Sequence, residues 1–284
     1  MNKKEYFICL WVVLTTISIM LMQGPTFVKA ANVNSIENVV TSQKEFIRVV
    51  YKNMVARNKN FLIKYNGNWE DIFDNNLNNL FDKVYEINDR NTSDDFDYLK
   101  YNVKKCYLRI SNNGVTSTFN FTITYRENAS QTKKVNTLVS KAVKNLNIKN
   151  TNRYTKVKKI HNYIVNKLTY DTTYRNYTAY TALVEKKAVC QGYALLFYKM
   201  ATEAGVPCRI VCSENHVWNI VKMGSKWYHV DTTWDDPISK KPVLRYDYFL
   251  KGSNTMSDTH ILTAEYTTTA FKKKFPISKT NYKR

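Results

Sequence analysis

Glycine is scarce in this sequence, with 7 in 284 residues, and neither a GxGxxG nor a GxxxxGK(S/T) loop occurs. Loops that cradle phosphates need bare backbone close to the ligand, so the nucleotide-binding classes built on them are excluded. The 5 cysteines, Cys9, Cys106, Cys190, Cys208 and Cys212, are too few and too dispersed for a disulfide-stapled scaffold, and their spacing fits no zinc pattern. Acidic residues are in deficit, 23 against 43 basic ones, for a formal charge of +20. Hydrophobic content is not lacking: 44% apolar and 14% aromatic residues point to a folded chain of one or two domains. A single apolar run, Phe7 to Met22, approaches the length of a membrane span.

That run follows Lys3 and Lys4 and precedes Val28-Lys29-Ala30, small residues of the kind a signal peptidase reads. Residues 1–30 are therefore expected to be a secretory signal cleaved after Ala30, leaving a secreted protein with no stable membrane span. No Leu-x-x-Cys lipid-attachment pattern surrounds Cys9. The rest of the chain stays strongly basic, which favours polyanions through long-range attraction and counterion release. Outside a cell the matching partner is an anionic cell-wall polymer or surface. No nucleic-acid motif accompanies the charge, so no specific nucleic acid is expected. The basic residues are scattered, and a plain solvated surface accounts for them equally well.

From Ser42 to Arg57 the apolar spacing predicts a helix, with Phe46, Val49, Val50 and Met54 on one face. Phe61 to Tyr65 reads as a strand and Trp69 to Ile87 as a second helical stretch. A polar break follows at Asn88 to Asp95. Tyr98 to Ile110 and Thr116 to Tyr125 then alternate around Ser111-Asn112-Asn113-Gly114, where Asn-Gly is a hairpin cue. Helices are predicted over Lys134 to Leu146 and Thr155 to Leu168. The expected organisation is an N-terminal α+β unit over 31–130 and a second domain over 131–284, with the boundary inside 127–152.

The chemistry-bearing stretch begins at Val189-Cys190-Gln191-Gly192-Tyr193-Ala194, which opens a helix running to Ala204 and closed by Gly205 and Pro207. Apolar residues fill most of this helix, and Lys199, Thr202 and Glu203 form its narrow polar side. Cys190 in the first turn faces the positive end of the helix dipole, where unpaired amide N–H groups favour thiolate over thiol. A lone cysteine there would more simply be a core residue. Cys208 to Ser213 is a predicted strand, followed by two more joined at Gly224-Ser225. A two-residue turn there pairs Met223 with Lys226 and sets His216 one diagonal step from Asp231 on the same face, within reach of a hydrogen bond. A three-residue loop would put them on opposite faces. The expected roles are Cys190 as nucleophile, His216 as base and then acid, and Asp231 as orienter. The Cys190 N–H is the natural first oxyanion donor, with Tyr170 a candidate for the second.

Val189 to Ala194, His216-Val217-Trp218-Asn219 and Trp227 to Pro237 together resemble the three motifs of the transglutaminase-like superfamily. Leu168-Thr169-Tyr170-Asp171 and Tyr246 to Leu250 are similar to secreted bacterial members, and the resemblance covers about residues 155–260. It implies an α+β, papain-like core in which a Cys-bearing helix packs on an antiparallel sheet, with the triad Cys190, His216 and Asp231. It also implies acyl transfer on protein or peptide amides through a thioester, without metal or organic cofactor. Val217 stands where members commonly have Ala. Members include cross-linkers, deamidases, proteases and inactive binding modules, so a non-enzymatic cationic surface module remains the alternative.

The remaining histidines read blandly. His161 is expected to be a surface or packing residue and His229 a core residue, while His260 is uninformative. Cys208 and Cys212 are expected to be separate structural thiols, because a bridge along one strand would strain disulfide geometry. Trp218, Trp227 and Trp234 are expected to wall the site and core.

Overall fold

The computed structural model describes residues 18–21, 38–72, 77–87, 96–239 and 243–284. The chain divides into two compact units between Ala129 and Ser130. Of the expected signal segment only Ser18–Leu21 is described, and the expected break at Asn88–Asp95 lies outside the described residues. Among the described residues no helix is long and apolar enough to cross a membrane.

In the N-terminal unit the elements are β1 (Ser18–Leu21), β2 (Asn38–Val40), α1 (Gln43–Val55), β3 (Asn60–Asn66), α2 (Leu77–Tyr85), α3 (Phe96–Asn102), β4 (Val103–Asn112) and β5 (Thr116–Tyr125). They build a five-stranded sheet ordered β1-β4-β5-β3-β2. Alternation sends Phe61, Ile63, Cys106, Leu108, Ile110, Phe119, Phe121 and Ile123 to one face, where Phe46, Val50 and Met54 of α1 and Leu80, Phe81 and Val84 of α2 cover them. Helix α1 starts on a Ser42 side-chain cap.

Two local expectations need correction. Residues 98–102 are helical rather than extended, because Tyr98, Tyr101 and Asn102 are buried at helical spacing. There the Tyr98 hydroxyl donates to Glu127 at 2.5 Å, and the Asn102 amide donates to the Tyr98 carbonyl at 3.0 Å. The hairpin forms, but its turn is centred on Gly114-Val115 instead of Asn113-Gly114. Asn113 N–H bonds the Thr116 carbonyl, and only Gly114 takes a positive φ, +92°. The Asn113 side chain causes the shift: its Oδ1 accepts from Val115 and Thr116 N–H, an Asx-type turn that holds Asn113 at the strand end.

The second unit contains α4 (Ala129–Asn145), α5 (Arg153–Lys167), β6 (Thr169–Tyr170), α6 (Ala179–Val184), β7 (Lys187–Ala188), α7 (Cys190–Glu203), β8 (Cys208–Cys212), β9 (Val217–Met223), β10 (Lys226–Val230), β11 (Phe249–Lys251), α8 (Ser253–Met256) and α9 (Thr269–Lys274). The antiparallel sheet runs β11-β10-β9-β8. The cysteine-bearing helix packs on it as expected, and the Asn219 amide of β9 donates to the Ala194 carbonyl of α7 at 3.1 Å. On the other face, Val211, Trp218, Ile220 and Trp227 pack under Met256, Tyr266 and Phe275 of the C-terminal segment. Of the expected polar side, Thr202 is part-buried and Glu203 exposed at the end of α7, but Lys199 departs from it: the helix is enclosed from Cys190 to Ala201, and this side chain is fully buried with it.

Phe119 is fully buried and meets Phe46 edge-on at 4.6 Å. Phe119→Ala is expected to lower unfolding stability by about 3–5 kcal/mol, read from the urea midpoint. A loss under about 1 kcal/mol would contradict this packing.

Candidate active site

Local sequence sets each part of the site. The β9–β10 turn forms as expected, with Met223 paired to Lys226 and Gly224 at φ +62°. Pairing runs outward to Asn219 and Val230, so His216 stands just before β9 and Asp231 just after β10. His216 Nε2 and Asp231 Oδ2 are 2.5 Å apart. The Cys190 thiol hydrogen-bonds the same imidazole. Since Nε2 is taken by the carboxylate, Nδ1 is the nitrogen left to face the sulfur. The structure thus brings together all three residues singled out in the sequence.

The start of α7 is fixed by a loop that the sequence alone did not interpret. Asp171 Oδ1 accepts from Thr173 N–H and hydroxyl, and its Oδ2 accepts from Arg175 and Asn176 N–H. Burial opposes ionisation of Asp171, but these hydrogen bonds hold its carboxyl down to about 2. The folded loop aims the Asn176 carbonyl at Val189 N–H, one residue before Cys190. It also packs so tightly on the helix that a Cβ at Gly192 would lie 2.6 Å from the Ala188 Cβ and 3.1 Å from the Thr178 carbonyl. Tyr170, the candidate for a second oxyanion donor, pairs with Ala188 in the short β6–β7 ladder and meets Tyr174 edge-on.

The electrostatics favour an ion pair. Burial alone would deprotonate His216, but the Asp231 charge and hydrogen bond, with Cys190 adding to them, push the imidazole up to about 10. Burial likewise opposes charge on Asp231, and His216 and His260 overcome it, holding the carboxyl well below the usual carboxylate range. Asp231 Oδ1 accepts from Thr233 and Trp234 N–H at 2.8 and 3.2 Å, so the same side chain folds its own turn. Trp218 stacks on His216 at 5.7 Å and 14°, and partly exposed Trp234 tilts against it at 5.6 Å. Trp227 lies instead against Phe275 in the core, 5.1 Å away edge-on.

The other histidines are more engaged than their sequence context suggested. His260 Nε2 lies 2.9 Å from the same Asp231 Oδ2, a contact that a sequence separation of 29 hides from any local pattern. His161 is fully buried rather than on the surface, with Nε2 2.8 Å from Asp235 Oδ2. Asp235 in turn accepts from Tyr248 N–H at 3.0 Å and anchors the turn after Asp231. The Tyr193 hydroxyl of α7 donates to Asp236 at 2.5 Å, while burial pushes that carboxyl up to about 6. His229 is a core residue whose Nδ1 accepts from Trp218 Nε1 at 2.9 Å. Burial, with His260 nearby, pulls its imidazole down to about 3. Cys106, Cys190, Cys208 and Cys212 all remain thiols.

His216, Asp231 and His260 offer ligand atoms within 4.8 Å of one another. Both Nε2 atoms point at one carboxylate oxygen, so hydrogen bonding already satisfies this set.

Residues 140–232 match the family model of the transglutaminase-like superfamily. The match takes in Cys190, His216 and Asp231 and ends before His260. Two solved structures are similar to the chain. One is described as a TGase, at 15% identity and a TM-score of 0.34, covering 74% of this chain and 61% of that one. The other is described as a candidate cysteine protease from Cytophaga hutchinsonii, at 16% identity and a TM-score of 0.31, covering 46% of this chain and 65% of that one. The chain therefore spans less than two thirds of either structure's length. Among curated proteins, none matches the sequence.

The buried histidines make stability depend on pH in two opposite ways. His229, held near 3 when folded, binds fewer protons than in the unfolded chain, so its contribution is full above about 6.5 and is lost as pH falls toward 3. His216, held near 10, binds more protons than when unfolded, so its contribution is full below about 6.5 and is lost as pH rises toward 10. Asp236, raised to about 6, offsets part of the acid-side loss, because its protonation favours the folded state below that pH. Thermal midpoints across pH 4–10 are expected to peak at about pH 6–7. His216→Gln is expected to flatten the alkaline side, and an unchanged alkaline slope would contradict the His216–Asp231 pairing.

Proposed function

We propose that the protein is a secreted cysteine enzyme that transfers acyl groups from protein or peptide amides through a thioester. The observation carrying this reading is the line Cys190–His216–Asp231, with a hydrogen-bonded imidazole between the sulfur and a buried carboxylate. With the proton resting on His216, the sulfur attacks the amide carbonyl. Negative charge then develops on the carbonyl oxygen, beside the first-turn N–H groups of α7. As the C–N bond breaks, imidazolium passes its proton to the leaving amine or ammonia, leaving the acyl group on Cys190. The thioester is resolved by an amine, which makes a cross-link, or by water, which completes deamidation or proteolysis. His216, now neutral, deprotonates either nucleophile while Asp231 stabilises the imidazolium that forms. None of these steps draws on a metal or organic cofactor.

A thiol-reactive amide probe is expected to label the mature protein at Cys190. Cys190→Ala should abolish labelling, and Asp231→Asn should slow it on the order of 10³–10⁴-fold. Equal labelling of wild type and Cys190→Ala would refute the reading. Mass spectrometry of candidate protein substrates distinguishes isopeptide bonds, deamidated side chains and new termini.

A second reading concerns localisation, and one observation favours it. Strands β3, β4 and β5 contain Lys64, Lys104, Lys105 and Arg109 and no acidic residue. Lys105, Tyr107 and Arg109 are exposed on the sheet face away from the helices, among exposed Asn120, Thr122 and Thr124. Such a face suits an anionic cell-wall polymer. Lys105→Glu with Arg109→Glu is expected to weaken binding to a polyanionic wall preparation and lower the log–log salt slope by roughly one unit per lost cation. Labelling of Cys190 should remain unchanged. Wild-type binding by the double variant would remove this face from the reading.

A further inference from the structure

His260 comes from the C-terminal segment that covers the far face of the sheet, and it ends on the acid of the triad. Its Nε2 is 2.9 Å from Asp231 Oδ2, the oxygen that also meets His216 Nε2. Thr259 Oγ1 lies 2.6 Å from its Nδ1. An ionised carboxylate only accepts, so Nε2 carries a proton, and the Thr259 hydroxyl holds the ring at Nδ1. The ring cannot swing away: Trp218 and Trp234 meet it edge-on at 4.6 and 4.8 Å, and Tyr248 packs at 5.1 Å. The matched family segment ends before His260.

We propose that His260 is a positioning residue that tempers the triad by sharing the oxygen through which Asp231 acts on His216. This rests on the acyl-transfer reading of the same site. A carboxylate oxygen with two donors offers less negative charge to each. His216 therefore faces a weaker partner than an unshared Asp231 would be, and its imidazolium remains acid enough to protonate a departing amine. Removing the second donor does not release the carboxylate, because Thr233 and Trp234 N–H still hold Oδ1. It concentrates the charge on the oxygen facing His216. The other titratable groups around His216 are Cys190 of α7, His229 behind Trp218, the Tyr248 phenol and exposed Glu214 on the loop before it.

The test is the titration of His216 itself, followed by NMR in histidine-labelled full-length protein. The chain has 4 histidines, so single substitutions assign every signal. His260→Leu is expected to move the His216 midpoint upward by roughly one pH unit, the scale of a charge-assisted hydrogen bond. His260→Gln, whose amide can still donate from the Nε2 position, should return it to the wild-type value. Thr259→Val, at an exposed position, should give a smaller upward shift by loosening the ring; it decides the matter alone if His260→Leu fails to fold. A midpoint that is unchanged or moves downward in folded His260→Leu, or in Thr259→Val where His260→Leu does not fold, overturns the proposal. Failure of the acyl-transfer reading would appear separately, as absent Cys190 labelling with the histidine titrations intact.

Discussion

The site depends on one buried carboxylate having every acceptor position occupied. Asp231 is nearly inaccessible to solvent, and an ionised carboxylate there is tolerable only when hydrogen bonds replace the lost water. Its Oδ1 is bound by the N–H groups of its own turn, and its Oδ2 by two imidazoles. Folding of the turn and placement of the charge are therefore one event. A displaced Asp231 would lose the loop and the orientation of His216 together.

The same device recurs around the site. Asp171 winds the loop that seats the start of the cysteine helix, Asp235 ties the turn after Asp231 to His161, and Asp236 receives the Tyr193 hydroxyl from that helix. In a chain with 23 acidic residues against 43 basic ones, three of these four aspartates, Asp171, Asp231 and Asp235, are buried. Acidic side chains suit this work because they are short and accept from several backbone N–H groups at once. The excess of lysine and arginine is thus partly a deficit of exposed acid. The exposed strand face of the N-terminal unit, with basic and no acidic residues, is one place where that imbalance is concentrated.

What was legible in the sequence was local. The cysteine helix, the Met223–Lys226 register and the resulting approach of His216 to Asp231 all follow from chemistry within a few residues: a helix start, a glycine turn and strict alternation. Errors arose where two local rules competed. Residues 98–102 alternate, yet they also carry a helical spacing, and the buried Tyr98–Glu127 contact decided between them. Asn113-Gly114 fits a two-residue turn, but the Asn113 side chain captured two amides and moved the turn by one residue. The polarity of Lys199 places it with Thr202 and Glu203, but only the last turn of the helix reaches solvent, and Lys199 lies in the enclosed part before it.

The sequence by itself determined that Cys190, His216 and Asp231 meet, because each sits at an element end whose position short-range rules specify. Tertiary structure decided which further histidines pair with the buried aspartates. His161 and His260 meet Asp235 and Asp231 across 74 and 29 residues of chain, and nothing in their immediate neighbours encodes either pairing. Such contacts exist only after helix and C-terminal segment have closed on the sheet. At that point a buried carboxylate stripped of water accepts whichever donors packing brings within reach.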